Sequence, residues 1–210
     1  RDPDWDDFGK IRVINEDLIS PDAGFSMHSH SNMEIITVVI KGAITHRDSL
    51  NNLEKINEDE VQVMSAGTGI SHSERNEGNK ACKLFQIWID PNKKNLKPQY
   101  KQISVKNIFG ENLIIDSLNS KNKKLFINQD ISIWRCKYES LKAKNFPSEI
   151  KKINWIQIID GDLSIIDKSN HFDIHLLQGD GMGFEISDPQ DVSIYNKKKV
   201  DFLLFSMPTF

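Results

Sequence analysis

Apolar residues in this chain gather in short runs that stop at Gly, Asn, Asp or Pro. KIRVINED, MEIITVVIKG, AITHRDSL, EKINEDEVQVMSAG and KLFQIWID follow one another in the first half. KLFIN, ISIWRCKYE, NWIQIIDGDLSII, HFDIHLLQGDGMGFEI, DVSIY and VDFLLFSM follow in the second. Each run is strand-sized, rich in Ile, Val and aromatics, and bounded by turn residues, whereas long helical periodicity is hard to find. Many short strands with evenly spaced turns predict an all-β chain of sandwich or barrel type.

The pattern occurs twice. TVVIKGAIT and IQIIDGDLS share the order apolar strand, charged residue, Gly, second strand, and DEVQVMSAG corresponds loosely to QGDGMGFEI. Two tandem copies of one barrel explain both parallels. Residues 92–124, rich in Lys and Asn and carrying Pro98 and Gly110, read as the connection between them.

With 210 residues the chain has room for one large domain or two of about 100 residues each. Net charge of -3, with Lys and Arg scattered among Asp and Glu, argues against a nucleic-acid partner, which needs a basic face. Lys93-Lys94 and the runs at 121–124 and 197–199 read as solvated surface. No apolar run approaches the ~18 residues of a membrane span, so no membrane role is expected. Cys82 and Cys136 lie far apart in strand contexts and read as buried, reduced thiols, which points to a cytoplasmic location. The opening RDPDWDDFG lacks Met and reads like the interior of a longer protein.

The chemistry concentrates in two places. MHSHSNME carries His28 and His30 one residue apart with Glu34 beyond them, and in an extended chain all three share a face. SAGTGISHSERN carries His72 and Glu74 with the same spacing, after Gly67 and Gly69, which suit a tight turn. Either motif alone reads as surface or hydrogen-bonded core. Paired on neighbouring strands, imidazoles and carboxylates at inward positions build a mononuclear metal site with open coordination positions. His46 in THRDS reads as a hydrogen-bonded core histidine, although it is tempting as an extra ligand. His171 and His175 form no such pair, and Trp134, Trp155 and Phe184 read as packed core rather than pocket.

The two motifs, with Gly24 before the first and Gly42 after the strand that follows it, resemble the cupin superfamily. HSHSNMEIITVVIKGAITHRDSLNN, VQVMSAGTGISHSE and LFQIWI narrow the resemblance to the pirin family of bicupins. It implies an all-β fold of two tandem jelly-roll barrels: residues 1–115 a metal-binding cupin, residues 116–210 a cupin without metal. Pirins begin earlier than this chain does, so part of the first strand region is expected to be missing.

The resemblance also implies an ion held by His28, His30, His72 and Glu74. Fe(II) is the expected metal, with Zn, Ni, Cu or Mn as substitutes. The general cupin pattern would draw its carboxylate from Glu34; pirins draw it from Glu74, leaving Glu34 to support a ligand. Three imidazoles and one carboxylate leave a divalent ion near +1 with up to two open positions, suited to dioxygen and a chelating substrate. Pirin-like quercetin 2,3-dioxygenases open the flavonol ring and release carbon monoxide, which assigns Glu74 the further, catalytic role of general base and predicts a flavonol-like small-molecule substrate. The alternative within the family is an iron-dependent redox sensor that binds a protein partner.

Overall fold

The computed structural model describes residues 7–105, 109–116, 125–147, 150–169 and 171–209. Among them there is no helix, and hence none long and apolar enough to cross a membrane. The chain divides into two compact units. The first comprises residues 1–107 and 118–129, the second 108–117 and 130–210.

The first unit contains β1 (Ile11–Ile19), β2 (Gly24–His30), β3 (Glu34–Lys41), β4 (Ala43–Asp48), β5 (Leu53–Asn57), β6 (Glu60–Ser65), β7 (Ile70–Arg75), β8 (Cys82–Ile89) and β9 (Gln99–Ser104). They form two antiparallel sheets, ordered β1-β8-β3-β6-β9 and β2-β7-β4-β5. The second unit contains β10 (Gly110–Ile115), β11 (Ser132–Tyr138), β12 (Leu141–Asn145), β13 (Ile153–Asp160), β14 (Asp162–Asp167), β15 (Phe172–Leu177), β16 (Gly181–Glu185), β17 (Val192–Asn196) and β18 (Val200–Met207). Its sheets run β10-β11-β18-β13-β16 and β12-β17-β14-β15. Apart from the edge strands β9 and β10, the second unit repeats the first with every strand number raised by ten.

Burial follows position in the sheet. The β-branched run of β3, flanked by β8 and β6, is buried from Glu34 through Val39, and β18, between β11 and β13, is buried throughout. Central strands covered on both faces read as continuous apolar runs, which is how both segments look in the sequence. The repeated Gly turns are real equivalents. Gly42 (φ +79°) joins β3 to β4, and Gly161 (φ +82°) joins β13 to β14. A Cβ on Gly161 would lie 2.1 Å from the Lys199 carbonyl oxygen, so the turn admits only glycine.

The 92–124 stretch differs from its reading as a connection. It holds two edge strands: β9 pairs with β6 in the first unit and β10 pairs with β11 in the second. Neither segment has a clean apolar alternation, because an edge strand needs little of it. Residues 117–124, including the KNKK run, lie outside the described residues, while Lys93, Lys94 and Lys197–Lys199 are exposed. Cys82 and Cys136 are buried free thiols whose pKa burial raises. Trp134 and Phe184 belong to the second unit's core.

Candidate metal centre

Three neighbouring strands of the first unit aim their inward side chains at one point. In the β2–β7 pair His28 faces His72, and in the β7–β4 pair Asp48 faces His72 while His46 faces Glu74. Residues directly opposite in an antiparallel pair project to the same side, so the register alone gathers these groups. An irregularity between Phe25 and His28 re-aims the end of β2. Gly24 (φ +153°) lets the two backbones close there, since a Cβ would sit 2.1 Å from the Glu74 carbonyl oxygen.

The imidazoles converge. Ring centroids lie 4.4 Å apart for His28 and His72, 4.8 Å for His28 and His30, and 5.1 Å for His30 and His72. Two trios have potential ligand atoms within 4.8 Å of one another: His28, His30 and His72, and His46, His72 and Glu74. Cis ligands of a six-coordinate ion stand about 3 Å apart and trans ligands about 4.2 Å, given bonds near 2.1 Å. His28 and His30 are half-buried at the rim, and His72 and Glu74 are fully buried beneath them.

The electrostatics suit a cation. Burial, then the neighbouring imidazoles, lowers the His72 pKa to about 3, and burial, then His28, lowers that of His30. Both rings are therefore neutral at pH 7, with lone pairs to offer. Both nitrogens of His72 and Nε2 of His30 are buried without any hydrogen-bond partner. Nitrogens orphaned in this way cost stability unless something occupies the space between them. His28 donates from Nδ1 to the Ser26 carbonyl at 2.7 Å, which leaves Nε2 bare for a ligand. The donor set fits a borderline divalent transition metal.

Glu74 is held from the opposite sheet. Thr37 Oγ1 donates to Oε1 at 3.2 Å and Gln86 Nε2 to Oε2 at 2.6 Å. Burial raises its pKa to about 6 against these two bonds. Gln86 is fixed in turn by the Trp88 indole N–H at 3.1 Å, and the Trp88 ring stands edge-on to His30 at 4.9 Å. Sequence reasoning missed Thr37, Gln86 and Trp88. Their signal is a polar residue inside an otherwise buried apolar strand, IITVVI and LFQIWI, on the face that alternation turns inward.

Glu34 does not join the histidines, contrary to the shared-face reading of MHSHSNME. The strand is interrupted at Asn32 (φ +50°), so Glu34 opens β3 in the other sheet. There its carboxylate accepts hydrogen bonds from Ser65 Oγ at 2.6 Å and Asn128 Nδ2 at 3.1 Å. Alternation holds only while the chain stays extended. His46 makes its expected hydrogen bond, Nε2 to Asp48 Oδ2 at 3.1 Å. A shallow depression of about 310 Å³ meets the cluster at His30 and includes Ser29, Ser49 and Ser71. Ser29 and Ser71 alternate with the histidines and point away from them, so this hollow is no chamber over the imidazoles.

A family model described as pirin matches residues 4–89, and one described as the quercetinase C-terminal cupin domain matches residues 114–207. A quercetin 2,3-dioxygenase of Escherichia coli is 34% identical over 210 residues, covering 99% of this chain and 86% of that protein. This chain belongs to the pirin family. Among solved structures, the pirin YhhW of Escherichia coli aligns with TM-score 0.89 at 32% identity, over 100% of this chain and 86% of that one. The same pirin solved in complex with nickel(II) aligns with TM-score 0.88 at 32% identity, covering 100% of this chain and 87% of the other. The fold is the all-β bicupin that the resemblance implied. In pirin terms the first unit is the cupin that gathers the histidines. In the second, the inward positions of β17 are Val192, Ile194 and Asn196.

Proposed function

We propose that this pirin is a metal-dependent dioxygenase that opens the heterocyclic ring of a flavonol with release of carbon monoxide. One observation carries the reading: three imidazoles converge beside a buried carboxylate, with the nitrogens of His72 unsatisfied. His28, His30, His72 and Glu74 would hold the ion, Fe(II) in the reading we favour. When bound, a ferrous ion supplies Lewis acidity towards the substrate's oxygens and one-electron chemistry towards dioxygen.

The chain's own residues supply the rest. Half-buried His28 and His30 form the rim by which a planar, polar aromatic would approach. Glu74 takes the proton of the flavonol 3-hydroxyl. Each carboxylate oxygen has two lone pairs, and Thr37 and Gln86 occupy one on each, so one oxygen remains able to ligate and the other to accept a proton. A pKa raised to about 6 makes Glu74 a stronger base than an ordinary carboxylate while leaving it ionised at pH 7. Buried Gln86, held by the Trp88 indole, keeps that carboxylate in one orientation.

The test is anaerobic reconstitution with Fe(II), followed by quercetin and oxygen, with carbon monoxide measured against flavonol consumed. One carbon monoxide per ring opened is expected, and Glu74→Gln should lower turnover by about 100-fold or more. Absence of carbon monoxide from several flavonols, in protein shown to contain iron, would end the dioxygenase reading.

A further inference from the structure

The two trios overlap only at His72, and the inner one includes a residue outside the ligand set implied by the pirin resemblance. We propose that His46, His72 and Glu74 form a second, inner seat for the divalent cation, alternative to an outer seat at His28, His30 and His72. This rests on the reading that the cluster holds such a cation at all.

Four independent features converge on His46. Its potential ligand atom lies within 4.8 Å of those of His72 and Glu74, and all three residues are fully buried, unlike the half-buried rim. The strand register sets it directly opposite Glu74. Its tautomer is fixed. Asp48 Oδ2, a carboxylate acceptor, lies 3.1 Å from Nε2, so His46 donates from Nε2 and presents Nδ1 as a bare acceptor. That Nδ1 is buried and has no partner. A carboxylate behind one nitrogen and an unused lone pair on the other is how ligating histidines are oriented, and Asp48 is itself pinned by Leu50 N, Asn52 N and Asn52 Nδ2.

The chemistry of the two seats differs. Before Glu74 joins it, the outer trio is all imidazole and leaves a divalent ion at +2. The inner trio is two imidazoles and a carboxylate, which brings the ion to +1 in a place shielded by the Tyr100 ring, 4.8 Å from His46. Two histidines with one carboxylate suit Fe(II), Co(II) or Zn(II). A neutral His72 has one lone pair among its two nitrogens, so it serves one seat at a time. The expected stoichiometry is therefore one ion per chain.

Cobalt(II) titration of the metal-free chain, read by its visible absorption band and by calorimetry, tests this. Wild type should bind one Co(II). The double variant His28→Ala/His30→Ala should still bind one, about 10- to 100-fold more weakly, and adding His46→Ala should remove that binding. Asp48→Asn in the double variant should weaken it about ten-fold, which provides a second reading if the triple variant does not fold. A folded double variant that binds no Co(II), or that binds it equally with and without His46, overturns the inner seat. Failure of wild type to bind Co(II) overturns the metal centre itself, and with it the proposed function.

Discussion

The two units share one strand plan and fill it in opposite ways. In the second, Phe146, Ile165, Val192, Ile194, Phe202 and Leu204 belong to one apolar cluster that includes the inward positions of β14, β17 and β18. In the first, the corresponding strands β4, β7 and β8 present His46, His72, Glu74 and Gln86, beside apolar clusters that include Ile44 and Met64. Gln62 adds a buried amide with neither polar atom partnered. Each such group costs on the order of 1–3 kcal/mol. The bicupin frame thus does not depend on what fills it. One copy supplies packing and the other gives up packing for a polar interior.

That contrast can be broken most forcefully from the apolar side. Phe202→Ala should cost the second unit about 3–5 kcal/mol by leaving a cavity in a fully buried core, measurable as a fall in the guanidinium midpoint. Acid should act on the first unit. His72 has its pKa lowered to about 3, and His30 and His46 are lowered too, so each binds fewer protons folded than unfolded below pH 6.5. Stability of the metal-free protein therefore falls as pH drops from 6.5. Glu74, raised to about 6, works in the other direction between pH 6 and 4.5 and offsets part of this. A net loss of about 1–3 kcal/mol between pH 7 and 4.5 is expected from denaturant titrations.

Making the first unit more like the second gives a smaller effect of opposite sign. His72→Leu replaces an imidazole with two orphaned nitrogens by an apolar side chain. It should raise the stability of the metal-free protein by about 1–2 kcal/mol, flatten the acid response, and abolish divalent-metal binding. The smallest expected change is Gln86→Leu, which removes the 2.6 Å bond to Glu74 and should weaken Ni(II) binding about ten-fold by calorimetry.

Much of this arrangement was legible from spacing. Period-two alternation was enough for the HxH and HxE motifs, because His28–His30 and His72–Glu74 each lie on one uninterrupted strand. The Gly42 and Gly161 turns announced the duplication because only glycine tolerates their backbone. What failed was extrapolation across a turn, as with Glu34, and recognition of edge strands β9 and β10, which have no two-sided burial to leave a pattern. Thr37 and Gln86 were hidden for another reason. They are distant in order from Glu74 and reach it only because two sheets face each other, and no local pattern records that.

The first unit is not one continuous length of chain. Its Glu34 receives a hydrogen bond from Asn128, the Asn128 carbonyl accepts from the Asn92 N–H, and Gln129 donates to the Asp90 carbonyl, yet β10 of the second unit precedes both Asn128 and Gln129 in order. During vectorial synthesis the ribosome must therefore emit a strand of the later cupin before the earlier one can close its last bonds. A nascent chain stalled after β9 would hold every histidine of the cluster while Glu34 still waited for one of its donors.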